Sequence, residues 1–164
     1  MVETKLGLEA LPDSARIWIY QSNRALTANE GVQLETAANQ FVSGWNAHGQ
    51  QLSAGFEFLH NHFLILAVDE SIHGASGCSI DSSVALIRQL NAVFQIDFLD
   101  RTKVAMLENG QVELLDLSEI KNAVATGKLT PESKVFNNLL RTLGEFRNKW
   151  VVSALETWLK RYFN

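Results

Sequence analysis

One cysteine, four histidines and eighteen carboxylate side chains are available for chemistry in this chain of 164 residues. Cys78 is the sharpest candidate nucleophile. It lies in Gly74-Ala75-Ser76-Gly77-Cys78-Ser79, between an apolar strand pattern and a helical one. A thiol at a helix start is pushed toward the reactive thiolate. His48 is then the candidate base, with Asp81 or Asp69 to orient its imidazole. Asp81 also acts in the other direction, because a nearby negative charge disfavours a thiolate. A lone cysteine serves equally as a small, inert packing residue. It cannot close an internal disulfide or supply a Cys-x-x-Cys pair, and it fits a reducing, cytoplasmic setting.

Other constellations give weaker signals. His60, His62 and His73 stand near Asp69 and Glu70, but without a helical His-x-x-x-His or a Cys pair they read as turn residues. No metal and no cofactor is expected. The Gly74–Asp81 stretch could cradle an anion on consecutive backbone N–H groups, with Arg24 adding a guanidinium. Glycine and serine are equally at home there for backbone geometry and capping alone. Trp18, Tyr20, Phe56, Phe58 and Phe63 could form a stacking platform for single-stranded RNA on an open sheet face. Strand alternation sends neighbours to opposite faces, so half of these rings belong to a core.

The elements that must carry these residues follow from periodicity. Ala15 to Gln21 alternates as a strand. Thr27-x-x-Glu30 has the form of a capping box and opens a helix whose apolar positions run from Val32 to Trp45. Leu52 to Phe58 alternates, His60-Asn61-His62 reads as a turn, and Phe63 to Val68 is a continuously apolar central strand. A second helix is expected from Ile80 to Val93, with Ser79 as its N-cap and Asp81 in the first turn. Glu108-Asn109-Gly110 between apolar runs marks a hairpin. Ser118 to Thr126 reads as a short helix closed by Gly127. Beyond Thr130-Pro131, the positions Val135, Phe136, Leu139, Leu140, Leu143, Phe146 and Trp150 suit one helical face. A last helix is expected over residues 154–162. Asn137-Asn138, a polar pair against helix propensity, is expected to hydrogen-bond a loop, with the Gly77–Asp81 turn as the candidate.

This order implies an α+β protein: a mostly antiparallel sheet with helices on one face, of ferredoxin-like or split-βαβ type, and a helical C-terminal third. One domain over 1–164 is expected, an α+β core at 1–115 with a helical extension at 116–164. The opening residues carry three acids and do not read as a secretory leader. The longest apolar run, Phe63 to Val68, is far short of the ~20 residues that span a bilayer.

Fourteen basic against eighteen acidic residues give a net charge of −4, which argues against binding nucleic acid through its phosphates. The charge is uneven. Residues 1–100 carry four bases against eleven acids, whereas residues 134–164 carry six bases against two acids. The basic tail suits docking on the acidic body or on an acidic partner.

Arg16-Ile17-Trp18-Ile19-Tyr20-Gln21-Ser22-Asn23-Arg24, Trp45-Asn46-Ala47-His48-Gly49, Gly77-Cys78-Ser79-Ile80-Asp81 and Val135-Phe136-Asn137-Asn138-Leu139 together resemble the motifs of a family of small bacterial proteins. The resemblance extends over nearly the whole chain. That family is often labelled "ABC transporter ATPase" and has no established activity. The label does not suit these residues. Such an ATPase needs Gly-x-x-x-x-Gly-Lys-Ser/Thr to cradle phosphate, and Gly74-Ala75-Ser76-Gly77 is followed by Cys78-Ser79 with no lysine. The ending also departs from the family pattern, with Leu159 where a histidine is expected.

The sequence therefore leads to a binding module for a small molecule or a protein, using the loops Ser22–Arg24, Trp45–Gly49 and Gly74–Asp81. Asn23, Arg24, Trp45, Gly77 and Ser79 are the contact candidates. The rivals are an enzyme built on Cys78, His48 and Asp81, and a binder of single-stranded RNA. ATP hydrolysis is not expected.

Overall fold

A computed structural model of the chain describes residues 6–164; the first five positions of the segment read above as no secretory leader lie outside them. The strands gather into two main antiparallel sheets, and the protein is α+β. In the first sheet the order is β1 (Arg16–Gln21), β5 (Phe63–Val68), β4 (Ala54–Leu59). β1 runs antiparallel to β5, with Arg16 opposite Val68 and Gln21 opposite Phe63. All six residues of β5 are buried, which is why this strand reads as an unbroken apolar run. A small hairpin of β2 (Asn46–Ala47) and β3 (Gln50–Gln51) precedes β4.

Helices α1 (Ala28–Ser43) and α2 (Gly77–Phe94) cover one face of this sheet. Leu34, Ala38 and Val42 of α1 and Ile87 and Leu90 of α2 pack with Phe56, Leu64 and Leu66. The Thr27–Glu30 capping box is formed. The second helix begins three residues earlier than its periodicity suggests. Its N-cap is Ser76, Ser79 is the third helical residue and closes the box, and Asp81 lies beyond the first turn. Ser76-x-x-Ser79 competes successfully because each hydroxyl satisfies the other's backbone N–H, at 3.1 and 2.7 Å.

The other face of the first sheet packs on a second sheet, ordered β7 (Gln111–Asp116), β6 (Lys103–Glu108), β8 (Lys134–Phe136), β9 (Val151–Ser153). Ile17, Phe63, Ile65 and Ala67 meet Ala105 and Phe136 there. The β6–β7 hairpin turns on Asn109 and Gly110, both at positive φ, the backbone that an Asn-Gly turn supplies without strain. On the far side of the second sheet lie α3 (Ile120–Ala125) and the 3-10 turns Ala154–Glu156 and Trp158–Tyr162. The layers are thus helix, sheet, sheet, helix. The first sheet is a split βαβ unit: β1 and β4, joined through α1, run parallel with β5 antiparallel between them. The ferredoxin-like sheet is not completed, because the strand after α2, β6, joins the second sheet and not the edge of β1.

The C-terminal third is not wholly helical. Residues expected on one helix form β8, a loop and α4 (Leu143–Lys149), and β9 follows directly. Asn137 breaks any helix by accepting the N–H of Leu139, and Thr142 with Glu145 forms a fresh capping box. The apolar residues still converge: Phe136, Phe146 and Trp150 stack with Phe63 and His60, with ring centroids 4.6–5.8 Å apart in the Phe63–Phe136, Phe146–Trp150 and His60–Trp150 pairs. The basic tail docks on the body through Arg147. Arg147 pairs with Asp13 at 2.7 Å and donates to the carbonyls of Leu8 and Leu11.

Candidate functional site

The loop residues singled out from sequence mostly hold the fold together. Arg24 makes a two-pronged pair with Glu30 at 2.9 and 3.0 Å and donates to the Phe94 carbonyl, tying the end of β1 to both helices. That bidentate arginine, together with the N–H of Thr27, lowers the Glu30 carboxyl to about 2. Asn23 accepts the backbone N–H of Asp97 at 2.9 Å. Trp45 is buried, packs against Trp18, and donates its indole N–H to the Ser79 carbonyl at 2.9 Å. Ser79 is buried and bonded to Ser76.

Cys78 is the second residue of α2 and is exposed, as are Gly77 and Asp81 beside it. His48 is also exposed, at positive φ in the β2–β3 turn. Among the described residues no hydrogen bond or ion pair joins Cys78, His48 and Asp81. The histidines do not assemble either. His62 is buried against the His60 carbonyl, and His60 lies on the rings of Phe136 and Trp150, where partial burial lowers its pKa, assisted by the charge of His62. Among the described residues no group of three His, Cys, Asp or Glu could hold a metal ion. The aromatic set forms no open platform. Trp18, Tyr20, Phe56 and Phe58 pack under α1 and α2, and Phe63 lies between the sheets.

The structure instead opens a cleft of about 340 Å³ where the two sheets part. It lies beside the C-terminal end of β1, the start of β6, and the chain leaving β8. β6 and β8 pair only at Met106 and Val135. Beyond that pair a side-chain amide links the start of β6 to the chain leaving β8. Gln21 Nε2 donates to the Lys103 carbonyl at 3.2 Å, and Gln21 Oε1 accepts from Asn138 Nδ2 at 2.9 Å. Asn138 Oδ1 in turn accepts the Trp150 indole N–H at 3.1 Å. Each donor and acceptor in this chain is oriented the same way, so the bonds polarise one another. Asn138 thus bonds Gln21 and Trp150 and not the Gly77–Asp81 turn.

Much of the cleft wall is apolar. Leu99, Leu117, Leu139 and Trp158 stand at its edge and remain exposed. Among its charged residues, Lys103 is paired with Asp116, and Asp100 accepts from the Thr102 hydroxyl and N–H, which lowers its pKa. Arg101 has no ion-pair partner among the described residues. It lies near Tyr20, whose phenol is raised by burial, with the Ser83 hydroxyl and the Arg101 charge partly offsetting that rise. Hydrogen-bonding amides, a cation and an apolar wall equip this site for binding and orientation.

Gln21 was legible in the sequence as the polar member of the face Ala15, Ile17, Ile19, Gln21, one residue type out of place on an inward stripe. Arg101 had no local signal. Among the described residues no helix is long and apolar enough to cross a membrane. No protein family, no curated protein and no solved structure matches this chain.

Proposed function

We propose that this protein is a binding module that takes a small organic ligand in the cleft between its two sheets. The observation that carries this reading is the cleft itself: about 340 Å³ of concave space in which an apolar wall meets the amides of Gln21 and Asn138 and the guanidinium of Arg101. Pockets of this size, mostly apolar with a few fixed polar groups, are the usual form of a small-molecule site. The site differs from the loop site expected from sequence, since the cleft is lined by Gln21, Arg101 and Asn138 and not by Asn23, Arg24 or Trp45. Nucleotide hydrolysis has no part in it, because the chain carries no Gly-x-x-x-x-Gly-Lys loop.

The test uses anilinonaphthalene sulfonate, whose aromatic body suits the wall and whose anion suits Arg101. The native protein is expected to bind it in the micromolar range with a rise in fluorescence. Leu139→Glu, at a side chain 73% exposed on the cleft edge, is expected to weaken binding about tenfold, or about 1.4 kcal/mol, without lowering the melting temperature. Equal binding by native protein and variant would count against the cleft.

A further inference from the structure

We propose that the ligand of this cleft is an extended peptide with acidic residues, held by strand addition along the outer edge of β1. The proposal rests on the cleft reading above and names its ligand class.

β1 is an edge strand of its sheet. The parity of its hydrogen bonds is fixed by three contacts. Ile17 N–H donates to the Arg141 carbonyl at 3.0 Å, Leu143 N–H donates to the Ala15 carbonyl at 2.9 Å, and Ser22 N–H donates to the His62 carbonyl on the β5 side at 2.7 Å. Residues 15, 17, 19 and 21 therefore turn their backbone groups away from β5. The chain itself already shows how this edge is used. Arg141–Leu143 lies against it antiparallel, with Thr142 bridging Arg16. Coverage then stops, because Asn138 is drawn aside to Gln21 and Trp150. The cleft begins where that coverage ends.

Ile19, Tyr20 and Gln21 all line the cleft. Three consecutive residues of a strand cannot present their side chains to one side. Tyr20 packs its ring under the helices, while Ile19 packs between the sheets. The cleft therefore meets β1 along its edge, at the peptide groups of Ile19 and Gln21. An extended backbone entering there continues the line of Arg141–Leu143 and pairs with those groups, the usual mode of strand addition. Its alternate side chains fall toward the wall of Phe136 and Leu139 and toward Arg101. Arg101, which has no ion-pair partner among the described residues, gives the acidic preference.

The test uses full-length protein labelled with 15N and a pool of acetylated, amidated tetrapeptides in which Val, Leu or Phe alternates with Glu. The expected result is saturable shifts of the Ile19 and Gln21 amides. For the best peptide, N-methylation of one alternate pair of residues should cost about tenfold in affinity, as expected where backbone bonds carry the binding. N-methylation of the other pair should cost less than about twofold, since those N–H groups face away from β1. Arg101→Gln should weaken Glu-containing peptides and leave Gln-containing ones unchanged. Equal loss from both N-methylation patterns would overturn strand addition. So would silence at Ile19 and Gln21 with peptides while anilinonaphthalene sulfonate still moves them; the cleft reading then stands without the peptide. If neither probe moves these amides, both readings fall.

Discussion

At the residue scale, polar side chains near the ends of strands divide into those that hold the fold and those that remain available. Arg24 and Glu30 belong to the first group. Glu30 titrates at about 2, against an ordinary 4.5, because Arg24 and the Thr27 backbone both favour its charged form. A depressed carboxylate adds stability above its unfolded pKa and loses it as pH falls through the folded value. Stability from this pair should therefore be complete above pH 4.5 and decline toward pH 2. Denaturant unfolding followed across that range should show a flatter pH profile for Glu30→Gln than for the native chain. Asn138 carries a different load. Asn138→Ala removes partners from both the Trp150 indole and the Gln21 amide, and should cost about 1–3 kcal/mol in urea unfolding. Cys78, exposed and joined to neither His48 nor Asp81 by a hydrogen bond, should tolerate Cys78→Ser with no change in melting temperature.

At the element scale, local chemistry decided where segments begin and end, and this is where the sequence could and could not be read. The Thr27–Glu30 box, the Asn109-Gly110 turn and the apolar run of β5 were legible because each signal lies within a few residues. The start of α2 was misplaced since two serines three apart can both cap, and only the folded backbone shows that Ser76 lies outside the helix. Ser76→Ala should accordingly cost about 0.5–2 kcal/mol in thermal or chemical unfolding. The C-terminal third was misread for a longer-range reason. Val135, Phe136, Leu143, Phe146 and Trp150 do converge on apolar surroundings, so their spacing mimics one helical face. Thr142-x-x-Glu145 and Val151-Val152 were the signals that a new helix and then a strand begin there.

At the scale of the whole molecule, two sheets press their inner faces together and part at one end. The aromatic cluster of Phe63, Phe136 and Trp150 sits between them. Phe136→Ala should cost about 3–5 kcal/mol in denaturant unfolding, since a buried ring is lost at the contact between sheets. Local patterning forecast antiparallel strands and helices but not the second sheet, because β8 and β9 pair across segments far apart in the chain. The cleft was invisible for the same reason: Gln21, Arg101 and Asn138 come from three separate segments. Its role as the binding site is the central claim, and amide shift mapping with anilinonaphthalene sulfonate tests it most directly. The largest saturable shifts are predicted at Ile19, Gln21, Arg101 and Asn138, with a matching shift of the Trp158 indole. Shifts confined to the shallow hollow that Phe41 of α1 and Leu86 of α2 line, or to Gly77–Asp81, with the cleft residues unmoved, would contradict it.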